Sequence, residues 1–433
     1  MKELFVTAQY QMSLSPTITG VAGGVIMPAA VSYHALSRRP IEKKWPHLKR
    51  RLLDPQMYLA GLNAASCREP CANLASYGWF PLTHELPFDS SAQKQTEWRK
   101  QAAAIIETTW TARVPSEANE IEDSIRSCLT TQQQLGVEAL ILPTPLTEDI
   151  NSSFAAELEW LEHGLRLANA IAPGMPVLAS IALSDVTLRG PDPWSNPLLD
   201  VVLDQLTARG VRGAYIVPIM ASEDSYYFTH PNTVGALCRL CNGLKAGGVE
   251  RLVVSFAGTA GLVCLAAGAD AWTTGWYRSQ RRMRLSDFER VRGSVVPAYY
   301  SHPLGGEFHM ENDLDRAVAG GFLTRIEDET PASRGLLRAL RAGKRVATVP
   351  EWKYGLGNKT ASIEHFLIAC SRETAKLAVL GDAALQVETG RWLQAAYALS
   401  ADLQRIGPFN ARTATSHQHG WLRAFERLTQ ERY

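Results

Sequence analysis

The first three hundred residues repeat one pattern: a short apolar or β-branched run, a polar or Gly/Pro cluster, and then a stretch with helical periodicity. This alternation is typical of βα units and a parallel sheet. Several runs are apolar at both alternating positions, as expected of strands buried on both faces. Eight such runs predict an α/β fold, a TIM-like (β/α)8 barrel. The predicted strands are Gly24–Val31, Gln56–Leu62, Glu138–Leu142, Val177–Leu183, Gly213–Ile219, Arg251–Phe256, Asp270–Thr274 and Val295–Tyr300.

Most spacings between these strands suit one helix and two short loops, but residues 63–136 are too many for a single crossover. We therefore predict an insertion after strand 2, which forms either a lid or pocket wall or an extra structural layer. The helices predicted up to residue 304 are Glu97–Trp110, Glu120–Leu135, Phe154–Ile171, Pro197–Arg209, Pro231–Ala246 and Thr259–Ala267.

Beyond Tyr300 the pattern becomes mainly helical, with a β-like run at Arg345–Val349 dividing it. We predict a barrel over residues 1–304 and a mainly α-helical C-terminal region over residues 305–433. The helices predicted in this region are Asp313–Ala319, Ser333–Arg341, Ile363–Leu380, Ala383–Leu403 and Gly420–Gln430.

The composition bears on possible partners, on cellular location and on metal binding. Lys and Arg total 44 against 43 for Asp and Glu, so attraction to nucleic acid would come from local patches and not from net charge. No run of eighteen apolar residues and no signal-peptide core are present, which predicts no membrane span and a cytoplasmic location. Seven scattered cysteines predict reduced thiols. The single CxxC, Cys238 and Cys241, favours core thiols over zinc, so we predict no metal and no cofactor.

Reactive groups of a barrel enzyme lie just beyond the carboxyl ends of its strands. Asp185 ends an apolar run there and is a candidate nucleophile or base, with a helix cap as the alternative. Glu223 and Asp224 follow the fifth predicted strand beside tyrosines and a histidine, and form either an acid/base cluster or an ordinary solvated loop. His34 and His302 follow the first and last predicted strands and are candidates for binding substrate.

A phosphate site is predicted where two glycine turns precede a run of arginines. Small residues let backbone amides approach an anion at a helix start, and arginines bind phosphate in a fork geometry. The alternative is that the small residues pack a helix and the arginines are solvated. The residues concerned are Gly258, Thr259, Gly275, Arg278, Arg281 and Arg282.

Two segments, Gly24–Ala30 and Leu262–Arg282, resemble the opening strand and the glycine-aspartate segment of the tRNA-guanine transglycosylase superfamily. The resemblance implies a (β/α)8 barrel that exchanges a base in nucleic acid through a carboxylate nucleophile. It places Asp270 at the family's first acidic position and Thr273 at the nucleophile position. The family's cysteine-rich zinc motif has no counterpart here.

Three functions remain open from the sequence. The first is a barrel enzyme acting on a nucleobase, nucleotide or nucleic acid, with Asp185 or Asp270 as carboxylate and Arg278 and Arg282 on phosphate. The second is a phosphate- or flavin-dependent enzyme for small molecules, with the Gly258 and Gly275 loops on the cofactor. The third is a non-catalytic barrel whose C-terminal helices bind a protein partner.

Overall fold

Eight parallel strands form a nearly closed barrel in the computed structural model. The structure describes residues 1–9, 14–32, 41–48, 50–80, 114–221, 227–289, 297–310, 312–353, 359–410, 413 and 415–431. The strands are β1 Glu3–Thr7, β2 Gly24–Pro28, β3 Arg50–Asp54, β4 Leu140–Ile141, β5 Leu146–Thr147, β6 Val177–Ser184, β7 Gly213–Ile219, β8 Arg251–Val254, β9 Ala271–Gly275, β10 Ala298–Ser301 and β11 Gly306–His309.

The order of the barrel strands is β3-β2-β1-β9-β8-β7-β6-β4, with β5 also paired to β6. The Glu138 backbone N–H donates to the Arg51 carbonyl at 2.9 Å and joins β3 to the residues before β4. The predicted barrel is therefore confirmed in its coarse form. Because parallel strands share one direction, all their carboxyl ends meet at one end of the barrel.

The α-helices surround this sheet and form the C-terminal region. They are α1 Pro16–Thr19, α2 Ile41–Lys44, α3 Arg68–Ala75, α4 Ala118–Gln134, α5 Ala155–Ile171, α6 Asp185–Arg189, α7 Pro197–Ala208, α8 Pro231–Ala246, α9 Gly261–Ala266, α10 Ser286–Glu289, α11 Asp313–Ala319, α12 Leu323–Ile326, α13 Arg334–Arg341, α14 Thr360–Ala378, α15 Asp382–Arg405 and α16 Gln418–Gln430.

Two of the eight predicted barrel strands are wrong. Gln56–Leu62 instead contains a 3-10 turn, Met57–Leu59, because Gln56 adopts a left-handed conformation that ends extended chain. Ala298–Ser301 of the eighth predicted strand pairs antiparallel with β11, outside the barrel. The strands β1 and β3 take the two barrel places instead.

Among the helices, α8 and α11 match their predicted bounds, and most of the others lie within a few residues of theirs. The β-like run Arg345–Val349 forms a 3-10 turn, Val346–Thr348, so that prediction is also wrong. Glu97–Trp110 lies outside the described residues. Residues 63–136 fall between β3 and β4, where α3 and α4 are the helices described.

The helix α14 packs against the barrel although it lies far along the chain. Phe366 and Leu367 belong to the same apolar core as Phe5 of β1. The indole N–H of Trp272 on β9 donates to Thr374 Oγ1 at 2.9 Å, and both groups are buried. The C-terminal region thus supplies part of the barrel's outer layer. A second apolar core forms around β10, β11, α11 and α13.

Candidate functional site

A buried carboxylate, Asp54, stands at the carboxyl end of β3 with no exposed surface. The phenolic O–H groups of Tyr58 and Tyr215 donate to its Oδ2, at 2.6 and 3.0 Å. The backbone N–H of Gln56 donates to Oδ1 at 3.2 Å. Burial raises the pKa of Asp54 to about 6, and the hydrogen bonds partly offset that rise. The group is therefore poised to exchange a proton near neutral pH.

The chain after β3 is shaped to hold this carboxylate. Gln56 has φ 55° and ψ 35°, a left-handed conformation that turns the chain and brings Tyr58 back over Asp54. The side chain of Gln56 accepts from the Ala30 N–H at 2.7 Å and donates to Tyr58 Oη at 3.4 Å. Contacts from the segment after β2 thus fix the tyrosine that hydrogen-bonds to Asp54.

A row of hydroxyl groups crosses the barrel interior from Asp54 toward β1. Tyr215 Oη lies 2.8 Å from Ser255 Oγ, Ser255 Oγ lies 2.9 Å from Thr273 Oγ1, and Thr7 Oγ1 lies 3.4 Å from Thr273 Oγ1. A phenol has one proton, so when Tyr215 donates to the ionised carboxylate, Ser255 must donate to Tyr215. By the same reasoning Thr273 donates to Ser255 and Thr7 donates to Thr273, so Tyr215, Ser255 and Thr273 each donate and accept, while Thr7 acts as a donor at the end of the row.

Asp185 stands apart from this row. It begins α6 directly after β6, as the sequence placed it, and is buried. Arg189 Nη2 donates to its Oδ2 at 2.7 Å and the Ala221 N–H donates to its Oδ1 at 2.9 Å. Both oxygens therefore have protein donors, an arrangement that fits an ion pair holding α6 to the end of β7.

Asp270 lies at the amino end of β9, the end of the barrel opposite to Asp54. It accepts from Lys245 Nζ at 3.1 Å and from the Leu252 N–H at 2.8 Å. Charged groups at this end of a barrel typically serve stability. The structure therefore does not bring together the two carboxylates that the sequence singled out.

The predicted phosphate-binding arginines are paired with acids, and Arg281 and Arg282 are buried whereas Arg278 is partly buried. Arg278 Nε and Arg281 Nη1 bind the carboxylate of Glu307 at 3.1 and 2.6 Å. Burial alone would raise the pKa of Glu307, but the two guanidinium groups outweigh it and lower the pKa to about 2. Arg282 pairs with Asp287 at 3.3 Å. These arginines tie β11 and α10 to the segment after β9.

The glycine turns of the predicted phosphate site are filled by protein. The Gly258 N–H donates to the Arg281 carbonyl at 2.8 Å, and Thr259 Oγ1 donates to the Gly305 carbonyl at 3.2 Å. A Cβ on Gly275 would lie 2.2 Å from Cβ of Gln280. Small residues at these positions are thus needed for the close approach of residues 280–282.

The remaining predicted residues lie elsewhere. His302 follows β10, outside the barrel sheet, where it stacks on Trp392 with ring centroids 5.1 Å apart and pairs with Glu373 at 3.3 Å. His34, Glu223 and Asp224 lie outside the described residues.

Within the described ranges, no group of three or more His, Cys, Asp and Glu side chains is arranged to hold a metal ion. Cys238 and Cys241 are buried on α8, and neither forms a disulfide. No helix in the described part of the chain is both long and apolar enough to cross a membrane.

The Asp54 network was not predicted because the second strand was expected at Gln56–Leu62, beyond the end of β3 at Asp54. A sequence signal was present: Asp54 directly follows the apolar pair Leu52-Leu53 and precedes Pro55, as the last residue of a buried strand would. Tyr215 was inside a correctly predicted strand, but its orientation toward the barrel interior depends on register.

No known family model matches the chain, and no curated protein matches it at a significant level.

Proposed function

We propose that this chain is a barrel enzyme that acts on a nucleobase, nucleotide or nucleic-acid substrate through the carboxylate of Asp54. The observation that carries the proposal is the buried Asp54, held by two tyrosines at the carboxyl end of the barrel with a pKa raised to about 6. Buried carboxylates with shifted pKa values at this end of a barrel are characteristic of catalytic acids, bases and nucleophiles.

The two oxygens of Asp54 are not equivalent. Oδ2 holds both tyrosine hydrogen bonds, whereas Oδ1 accepts one longer bond from the Gln56 N–H. Oδ1 is therefore the oxygen that is better able to react. Since Asp54 is fully buried, a substrate reaches it when some of the side chains that cover it move aside.

The resemblance to the transglycosylase superfamily supports base exchange as the reaction. In that chemistry a carboxylate oxygen attacks the anomeric carbon, the bond to the base breaks, and the base leaves with the bonding electron pair. Attack by a second base or by water on the same carbon then releases the carboxylate. In this proposal Asp54 is the nucleophile. The resemblance places Thr273, which has no carboxylate, at the nucleophile position, so the carboxylate must come from another strand.

The test is release of free base from ribonucleosides, nucleotides, tRNA and single-stranded DNA, together with incorporation of labelled base. We expect Asp54→Asn to lower the rate at least a hundredfold, while Asp270→Asn keeps most of it. Asp270→Asn is the matched control because it also neutralises a hydrogen-bonded, partly buried carboxylate, at the other end of the barrel. Loss of activity in Asp270→Asn but not in Asp54→Asn, at equal folded content, would contradict the assignment.

A further inference from the structure

A small pocket opens at the carboxyl ends of β6 and β7, the same end of the barrel as Asp54. Its polar lining includes Asp185 and Arg189 of α6, and Thr229, His230 and Thr233 just before and at the start of α8. The Asp54 network does not include any of these residues. The pocket is therefore a separate feature of the same face.

Two polar groups in this lining have no acceptor within the described residues. Thr233 is 1% exposed, and its Oγ1 makes no hydrogen bond. The Nε of Arg189 is also buried and without a partner. Nearly all buried polar groups in native proteins are hydrogen-bonded, so these two donors are available to an acceptor that enters the pocket.

His230 adds a third donor. Its Nδ1 accepts from the Asn232 N–H at 3.2 Å, so the proton of the neutral ring lies on Nε2. Burial, and next the charge of Arg189, lower the pKa of His230. The ring also caps the sixteen-residue helix α8, whose N-terminus carries partial positive charge.

The carboxylate of Asp185 in the lining does not prevent the pocket from binding an anion. Asp185 has one oxygen bound to Arg189 Nη2 and the other to the Ala221 N–H. Its charge is thus balanced by Arg189, and the helix N-terminus leaves the pocket with an excess of donors. An oxyanion with several acceptor oxygens fits this arrangement better than a cation or an apolar group.

We propose that the pocket lined by Arg189, His230 and Thr233 binds a phosphate group of the substrate. This inference rests on the proposed function, because it assigns the phosphate of a nucleotide or nucleic acid to the same end of the barrel as the reactive carboxylate. It replaces the arginines after β9, which are held by Glu307 and Asp287, as the phosphate-binding element.

The test compares Thr233→Val with Thr274→Val. Both substitutions remove a buried hydroxyl that has no hydrogen-bond partner in the described chain, but Thr274 lies on β9 and does not line the pocket. Calorimetric titration would use inorganic phosphate, a nucleoside monophosphate and a short single-stranded oligonucleotide. We expect Thr233→Val to weaken phosphate binding about tenfold, as the loss of one hydrogen bond to a charged group does, and Thr274→Val to leave it unchanged.

The outcomes separate this inference from the proposed function. Phosphate binding that survives Asp54→Asn and falls in Thr233→Val supports the pocket even if no base is released from any substrate. Tighter binding of the monophosphate assigns the pocket to a terminal phosphate, and tighter binding of the oligonucleotide assigns it to a backbone phosphate. No saturable binding of inorganic phosphate up to millimolar concentration, or equal binding by the two valine variants, overturns the inference.

Discussion

At the scale of single residues, the chemistry of the barrel depends on how Asp54 is stabilised. Removing a carboxylate from water favours its protonated form, and hydrogen bonds from Tyr58, Tyr215 and the Gln56 N–H favour the ionised form. The balance places the pKa at about 6. Removing one hydrogen-bond donor should therefore change the pKa of Asp54 while the carboxylate itself remains.

Tyr215→Phe should raise the pKa of Asp54 further, because it removes one of the two hydrogen bonds to Oδ2. If Asp54 must be ionised to react, the acid limb of the activity profile moves to higher pH by about half a unit to one unit, equivalent to about 1 kcal/mol. The measurement is kcat/KM against pH. Tyr300→Phe is the control, since the buried Tyr300 hydroxyl has no partner in the described chain. An unchanged limb in Tyr215→Phe would show that the bond does not govern ionisation.

At the scale of elements, the pattern of apolar positions predicted six of the eight barrel strands and missed β1 and β3. The strand β7, whose seven residues are all buried, was predicted with its correct bounds. The strands β1 and β3 begin with Glu3 and Arg50, which looked like loop residues. Arg50 Nη1 lies 2.5 Å from Glu3 Oε2 at the amino end of the sheet, so the two charges balance each other. This pairing between two strands cannot be predicted from the sequence of either strand alone.

The failure to predict β3 also explains why the Asp54 site was not predicted. Asp54 was read as loop because its strand was not recognised, and its partner Tyr215 lies 161 residues further along the chain. A buried carboxylate can be predicted from sequence only when both its strand and the strand across the barrel are placed in register. Asp185, next to a well-predicted strand, was by contrast located correctly.

The helix α14 gives a test of how the C-terminal region contributes to the barrel. Thr374→Val keeps the shape of the side chain but leaves the buried Trp272 N–H without an acceptor, which costs about 1–3 kcal/mol of unfolding free energy. Thr374→Ser retains the hydroxyl and should cost less. Denaturant unfolding of both variants measures this difference. Equal stabilities would indicate that the bond between β9 and α14 contributes little.

At the scale of the whole molecule, buried acids give stability a defined dependence on pH. Glu307 has a pKa of about 2 in the folded chain against 4.5 ordinarily, so its ion pairs stabilise the fold above about pH 4.5 and are lost as pH falls through 2. Glu138 is shifted the other way, to about 7, by burial. Its ionisation therefore lowers stability as pH rises from about 4.5 through 7.

Asp54 acts in the same direction as Glu138. Its pKa is 3.8 ordinarily and about 6 in the fold, so the folded state binds its proton more tightly, and stability falls as pH rises from about 4 through 6. A shift of this size corresponds to at most about 3 kcal/mol. The contributions of these three acids are thus jointly most favourable at about pH 4.

We expect Asp54→Asn to make the neutral limb of the stability profile less steep, since the amide does not titrate while Glu138 still does, and to leave the acid limb unchanged. Glu307→Gln should flatten the acid limb, with an overall loss because two guanidinium groups lose their counter-charge. Denaturant unfolding at pH 3, 4.5, 6 and 8 measures both limbs for the wild type and the two variants. If Asp54→Asn and the wild type keep a constant difference from pH 4.5 to 8, Asp54 does not carry a raised pKa. The proposed catalytic role of Asp54 would then fail together with its predicted effect on the pH dependence of stability, because both depend on the free-energy cost of burying its charge.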